Sequence, residues 1–169
     1  METVTLRSGR EIVIRPIRPD DGQRLRMGYR ALSAQSQYQR FLALKPRLTD
    51  ADVRYLVEVD GTNHYALVAA TTSSPDWIIA VARFVRAADD PEAADFAIVV
   101  GDPYQGEGLG SELLELLADA AITRGIRHFR ASALAENVAV RKLVRRLAGR
   151  LARERHFGPV DEFEVDLAA

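Results

Sequence analysis

Apolar and polar residues mostly alternate over the first hundred positions, and one region with helical spacing interrupts this alternation. The first 17 residues alternate on both sides of a Ser-Gly turn, which predicts a β-hairpin. Residues 65–70, 77–85 and 92–100 are apolar runs joined by short polar turns. Runs with such short connections predict an antiparallel meander.

Three segments between the hairpin and the meander carry apolar residues at helical spacing. We expect Asp20 or Asp21 to cap the first helix, and Ser33 or Ser36 to begin the second. Thr49 and the acid three residues later form the pattern of a capping box, which predicts the start of the third helix.

After the meander the apolar period becomes helical. Leucine and alanine residues form one stripe over 109–124, and Gly125 follows as a C-terminal cap. Residues 126–134 predict a strand, Asn137 caps a last helix, and residues 162–167 alternate as a terminal strand.

This order of elements predicts a single α+β domain over residues 1–169. We expect a mixed central sheet of about six to seven strands, flanked by helices. The N-terminal part of the sheet is expected to be antiparallel, and a right-handed parallel βαβ unit follows it.

Composition excludes several kinds of site. The absence of cysteine excludes disulfides and a cysteine nucleophile, and it agrees with a cytoplasmic location. The three histidines have no paired spacing, so we expect no metal. No stretch approaches the roughly 18 apolar residues of a membrane span, so we expect a soluble, uncleaved protein without a membrane partner. A net charge of −1 gives no reason to expect a nucleic-acid partner.

Basic residues are concentrated between Arg141 and Arg155, and several roles are open to them. They could contact the 3′-phosphate of an adenosine, an acidic partner or RNA, or they could form solvated helix faces. The basic residues are Arg141, Lys142, Arg145, Arg146, Arg150, Arg153 and Arg155.

Three glycines, Gly106, Gly108 and Gly110, lie between the strand over 92–100 and the following helix. Because glycines let the backbone approach an anion and the first N–H groups of a helix have no partner, the N–H groups of residues 106–111 could ring a pyrophosphate. A turn without a ligand is the alternative. The lysine of a Walker loop is missing, and the spacing and late position do not match a dinucleotide fingerprint.

The motif Gln105-x-x-Gly108-x-Gly110 resembles the acyl-CoA-binding motif Q/R-x-x-G-x-G/A of the GNAT acyltransferase superfamily. The segments IRPIRPDD, LSAQSQYQRF, VEVDGTNHYALVA, ADFAIVV and ENVAV are similar to the GNAT domain of bacterial protein lysine acetyltransferases. The stretch from Ala94 to Leu147 also follows the family order of strand, pyrophosphate loop, helix, strand and Asn-capped helix, and together with the quoted segments it covers most of residues 12–148.

The resemblance implies a GNAT-like fold with acetyl-CoA as the donor and coenzyme A as a product. It assigns cofactor binding to the splayed end of a strand, to the glycine loop and to the cap of the last helix. The implied cofactor-binding residues are Ile98, Val99, Val100, Gln105, Gly106, Glu107, Gly108, Leu109, Gly110, Ser111 and Asn137. The side chains of residues 98–100 are also expected in the core, and Asn137 has capping alone as its alternative.

Asp95 stands where the family pattern A-E-F-A-V-V-V has a glutamate. The resemblance therefore implies that Asp95 is the catalytic base that deprotonates the amine, through a water if its shorter side chain requires one. A place in the solvated part of the strand is the alternative. A backbone N–H of Val99 or Val100 is expected to polarise the thioester. Val144 replaces the tyrosine that many relatives carry on the last helix.

We therefore predict an enzyme, an acetyl-CoA-dependent N-acetyltransferase whose acceptor is a primary amine, in particular a protein lysine. Without cysteine, direct transfer in a ternary complex is the route that we expect. A monomer or a homodimer is expected. The alternatives are a small-molecule amine acetyltransferase and a non-catalytic acyl-CoA-binding sensor or partner module.

Overall fold

The computed structural model describes residues 1–147 and 152–167, which form an eight-stranded mixed sheet with five α-helices. The strands are β1 (Glu2–Thr5), β2 (Glu11–Pro16), β3 (His64–Thr71), β4 (Ser74–Arg86), β5 (Ala93–Val100), β6 (His128–Leu134), β7 (Ala152–Phe157) and β8 (Val160–Asp166). The helices are α1 (Gly22–Arg30), α2 (Ala34–Phe41), α3 (Asp50–Val57), α4 (Leu109–Ile122) and α5 (Val138–Leu147).

The strand order in the sheet is β1-β2-β3-β4-β5-β6-β8-β7. Neighbouring strands are antiparallel except β5 and β6, which are parallel and are connected through α4. This topology confirms the expected α+β architecture, with β7 as an additional strand. Arg153 and Arg155 lie on β7, and not on a helix face, whereas Arg150 lies outside the described residues.

Two hydrophobic cores lie on opposite faces of the sheet. The larger one contains the buried leucines of α4 with Phe84 and Phe129, and the smaller one packs Leu25 and Tyr29 of α1 and Leu56 of α3 against β3 and β4. Within the described residues, no helix is long and apolar enough to span a membrane.

Side-chain capping confirms two of the three expected helix starts. Thr49 Oγ1 accepts a hydrogen bond from the Asp52 N–H at 3.1 Å, and the Asp52 carboxylate accepts one from the Thr49 N–H at 2.8 Å. Ser33 Oγ accepts a hydrogen bond from the Ser36 N–H at 3.2 Å. The capping residues therefore define where α3 and α2 begin.

Asp21 occupies the N-cap position of α1, but its side chain makes no capping hydrogen bond. The position of the cap was therefore predicted correctly, and the capping hydrogen bond was not. Its carboxylate is fully buried and accepts hydrogen bonds from Arg15 Nη1 and Nη2 at 2.7 and 2.8 Å and from the Arg18 N–H at 2.8 Å. Burial alone would raise the pKa of Asp21, but these donors lower it below the ordinary value. Asp21 therefore ties β2 to the turn before α1.

We expect Asp21→Asn to destabilise the fold at neutral pH by about 3–5 kcal/mol, because the partly buried Arg15 loses its fully buried counter-charge. Since the pKa of Asp21 is lowered by folding, its stabilisation is present above the unfolded-state pKa of about 3.9 and is lost as the pH falls through the folded value. Urea unfolding at a series of pH values measures this loss. Asp20→Asn, at an exposed neighbour, is the control, and a pH-independent deficit in Asp21→Asn would contradict the assignment.

Candidate active site

The parallel pairing of β5 and β6 ends at Asp95 and Arg130. Beyond this point β5 continues to Val100 beside β4, while β6 continues to Leu134 beside β8. Since β5 and β6 separate while each stays paired with its outer neighbour, the edges that face each other are unpaired. A cleft of about 550 Å³ lies here, and it is called the cofactor cleft below.

The hydrogen-bond alternation of β5 decides which peptide groups face the cofactor cleft. The Gly101 N–H donates to the Ile79 carbonyl at 2.7 Å, so the peptide groups of Val99, two residues earlier, also point toward β4. Those of Ile98 and Val100 point toward the unpaired edge. Of the two N–H groups expected to polarise a thioester, the one of Val100 therefore has the required direction, and the one of Val99 bonds β4.

The glycine loop has the backbone conformation that its sequence predicts. Gly106 and Gly108 have φ angles of +75° and +100°, which side chains other than glycine rarely adopt. In the described part of the chain, the N–H groups of residues 106–110 have no hydrogen-bond partner. Consecutive free N–H groups at the start of α4 are suited to an anion such as a pyrophosphate. The Ser111 N–H, by contrast, donates to the Gly108 carbonyl at 3.0 Å and is occupied.

Three residues of the motif have structural roles in the loop: Gln105, Leu109 and Gly110. Gln105 Nε2 donates to the Val100 carbonyl at 2.9 Å and thereby holds the loop against the end of β5. The Leu109 side chain is fully buried in the larger core. A Cβ at Gly110 would lie 3.2 Å from a methyl group of Leu143, so glycine permits the close packing of α4 on α5.

The turn between β1 and β2 supports the glycine loop, which the sequence did not indicate. Ser8 Oγ donates to the Glu107 carboxylate, and Arg10 lies 3.7 Å from the same group. Arg7 Nη1 donates to the Gly106 carbonyl at 3.5 Å, and Arg7 also lines the cofactor cleft. These contacts join residues about a hundred positions apart, so no local pattern could have revealed them.

Asn137 and α5 form the opposite wall of the cofactor cleft. Asn137 Oδ1 accepts a hydrogen bond from the Val140 N–H at 3.2 Å, which confirms the expected cap. Lys142 and Arg146 of the basic segment also line this cleft. Val144 is buried in the core and offers no acid at the position where many relatives have tyrosine.

Asp95 is the last residue of β5 that pairs with β6, and its side chain is exposed. It lines a second pocket of about 330 Å³, called the acceptor pocket below, which shares Arg40, Phe96 and Ala97 with the cofactor cleft. No hydrogen-bond donor contacts its carboxylate among the described residues. Desolvation raises the pKa of Asp95 above its ordinary value, and the charge of Arg130 opposes this. A free carboxylate with a raised pKa is suited to accept a proton.

Arg40 and Arg83 also line the acceptor pocket, and neither had been singled out as a functional residue. Arg83 had a detectable signal, because it is the one charged residue inside the apolar run WIIAVARFV. Arg40 had none, since its place depends on how α2 packs against β5.

One cluster has the composition of a metal site. Oxygen and nitrogen atoms of Glu154, His156 and Asp161 lie within 4.8 Å of one another. Arg141, however, donates to Asp161 and lies 3.7 Å from Glu154. The guanidinium pairs with both carboxylates, so the cluster is an ion-pair network that holds α5 against β7 and β8.

Comparison with known proteins agrees with this geometry. Residues 11–150 match the family described as the acetyltransferase (GNAT) domain. The chain is 37% identical over 151 residues to Acetyltransferase Pat of Mycolicibacterium smegmatis, a match that covers 89% of this chain and 45% of that protein. The chain therefore spans less than half the length of this relative.

Solved structures share the fold. The GNAT domain of S. lividans PAT superposes with a TM-score of 0.88 at 34% identity, covering 98% of this chain and 96% of that one. The yncA protein of Salmonella typhimurium, solved with acetyl-CoA, superposes with a TM-score of 0.70 at 18% identity, covering 93% and 94%, and shares the fold alone. Because the family model matches residues 11–150 and Acetyltransferase Pat is 37% identical over 89% of this chain, the chain belongs to the GNAT acetyltransferase family.

Proposed function

We propose that this domain is a cytoplasmic acetyl-CoA-dependent N-acetyltransferase that acetylates a lysine side chain of a protein. The observation that carries the proposal is the divergence of β5 from β6 next to a loop with five N–H groups that have no partner among the described residues. The similarity to acetyltransferases of Mycolicibacterium and Streptomyces supports the reaction class. The lysine acceptor rests on the resemblance of the N-terminal segments to protein lysine acetyltransferases.

The residues of the cofactor cleft fit the parts of acetyl-CoA. The peptide groups of Ile98, which point toward the unpaired edge, can pair with the amides of the pantetheine arm, and the N–H groups of residues 106–110 can bind the pyrophosphate. The side chains of Gln105 and Glu107 shape this site, and so do the backbone N–H groups of Val99 and Ser111, which are bonded within the protein. Lys142 and Arg146 are suited to the 3′-phosphate of the adenosine, since both line the cleft and carry positive charge.

Asp95 would act on the acceptor from the neighbouring pocket. A lysine amine has a pKa of about 10.4 and must lose a proton before it can attack. Asp95 takes this proton, directly or through a water, and the amine nitrogen then bonds to the acyl carbon of the thioester. The Val100 N–H stabilises the charge that develops on the carbonyl oxygen. The C–S bond breaks, the sulfur leaves as a thiolate, and the thiolate takes up the second proton that the amine nitrogen loses. Because the thiol pKa is about 8.5, no protein acid is needed.

Gly108→Ala tests the loop. We expect the affinity for acetyl-CoA to fall at least about tenfold, because alanine disfavours a φ of +100° and the free N–H groups lose their alignment. Isothermal titration calorimetry measures the dissociation constant. Gly125→Ala is the matched control, since Gly125 also has a positive φ of +79° and open space at its Cβ but follows the far end of α4. Equal losses in both variants would contradict a specific role of the loop.

Asp95→Asn tests the base. We expect kcat to fall by about 10²–10⁴-fold while acetyl-CoA binding stays unchanged, because the variant keeps the shape and loses the proton acceptor. Release of the CoA thiol in the presence of lysine peptides measures kcat. In the wild type, kcat should fall as the pH drops through the raised pKa of Asp95, and this limb should be absent from the variant.

The same variant has an expected effect on stability. The folded protein raises the pKa of Asp95, so its ionised form costs stability above that pKa, and the cost disappears below the unfolded-state value. Asp95→Asn should therefore be no less stable than the wild type at neutral pH. Unchanged turnover in Asp95→Asn would refute the base. Tight acetyl-CoA binding without turnover on any amine would instead indicate a binding module, and turnover on free amines alone a small-molecule enzyme.

A further inference from the structure

The acceptor pocket contains two arginines on the same side of the sheet as Asp95. Arg83 lies on β4 opposite Ala97, and Asp95 lies opposite Val85. Residues that are diagonal across two antiparallel strands share a face, with Cβ atoms about 7–8 Å apart. Arg83 and Asp95 are diagonal neighbours of this kind. The Arg83 guanidinium and the Asp95 carboxylate therefore line one pocket, and a small acceptor is long enough to reach both.

Arg83 is buried without an acid to balance its charge. Only 5% of its surface is exposed, and its Nη1 donates to the Leu56 carbonyl at 3.2 Å and lies 3.0 Å from His64 Nε2. Its Nε has no hydrogen-bond partner among the described residues. Burial, and to a smaller extent the charge of Arg40, lower the pKa of Arg83 to about 9. A buried cation with an unused donor is costly unless an anion reaches it.

Arg40 brings a second positive charge to the boundary between the acceptor pocket and the cofactor cleft. Its guanidinium lies 4.8 Å from the centre of the Phe41 ring, and it has no ion-pair partner among the described residues. The other acid of the pocket, Asp52, is already bonded to Lys45 Nζ at 2.8 Å. The pocket thus has two guanidinium groups whose charge its own carboxylates do not neutralise.

We propose that Arg40 and Arg83 bind a carboxylate that the acceptor carries beside its reactive amine. This inference rests on the proposed function and narrows its substrate to an amine with a neighbouring anionic group. Asp95 attracts and deprotonates the amine, while the arginines hold the carboxylate on the opposite side of the pocket. The carboxylate can belong to an acidic residue next to a lysine or to a free amino acid.

The test uses two peptides with one lysine each, identical except for a glutamate or a glutamine beside that lysine. Peptide affinity is measured by fluorescence anisotropy with coenzyme A present, and kcat/KM at saturating acetyl-CoA. We expect the wild type to favour the glutamate peptide about tenfold or more in both affinity and kcat/KM, because hydrogen bonds to charged groups are stronger than those between neutral groups. Free lysine and cadaverine, which lacks the carboxylate, form a second pair.

Arg40→Gln should remove the preference, because it lowers the affinity and kcat/KM of the glutamate peptide more than those of the glutamine peptide. Arg83→Lys should weaken the preference because lysine lacks the planar fork. Arg54→Gln, at an exposed position of α3, is the matched control and should keep the preference. If Arg83 had only a structural role, Arg83→Lys would lower the affinity and kcat/KM of both peptides equally. Thermal unfolding shows whether each variant is folded. If Arg83→Lys does not fold, the result for Arg40→Gln alone decides whether the arginines bind the carboxylate.

The outcomes separate the two proposals. A preference confined to the peptides identifies an acidic protein segment, and one confined to free lysine identifies an amino acid. Equal affinity and kcat/KM within both pairs, or a preference that survives in Arg40→Gln, would overturn the carboxylate site while leaving the acetyltransferase intact. A binding preference without turnover of any acceptor would support the carboxylate site and overturn the proposed function.

Discussion

The divergence of β5 and β6 after Asp95 and Arg130 is the constraint on which the rest of the site depends. A sheet that stayed paired would satisfy its peptide groups internally and leave nothing for a ligand. Here both strands keep an outer neighbour, β4 on one side and β8 on the other, so the strands remain rigid where their inner edges are free. The cofactor cleft is therefore part of the sheet itself.

The elements before the meander hold in place the segment after β5, which forms the loop side of this cleft. The turn between β1 and β2 contacts Glu107, and the start of α2 contacts the segment just after β5. There, the Asp102 carboxylate accepts hydrogen bonds from Ser33 Oγ at 2.8 Å and from Ser36 Oγ at 2.9 Å. Because α2 also carries Arg40, the loop that would bind the pyrophosphate and the wall of the acceptor pocket are mechanically connected.

Local spacing was sufficient for the parts of the fold that neighbouring residues control. The capping box of α3, the alternation of the meander and the glycine motif each depend on residues within a few positions, and the structure has them where they were expected. The prediction was wrong where a distant or competing partner decided. Asp21 binds Arg15 instead of capping α1, and the Ser111 N–H bonds the preceding turn. Strand β7 was missed because its sequence, ARERHF, has no apolar alternation and depends on pairing with β8.

The sequence by itself determined the family pattern, the helix starts, the loop that needs glycine and the carboxylate at position 95, since these features lie in short continuous segments. Only the tertiary structure decided that the peptide groups of Val100 and not those of Val99 face the cleft, since this depends on register with β4. It also decided that Arg40 and Arg83, from separate elements, share a pocket with Asp95. Contacts between distant residues arise from packing, and packing leaves no trace in local periodicity.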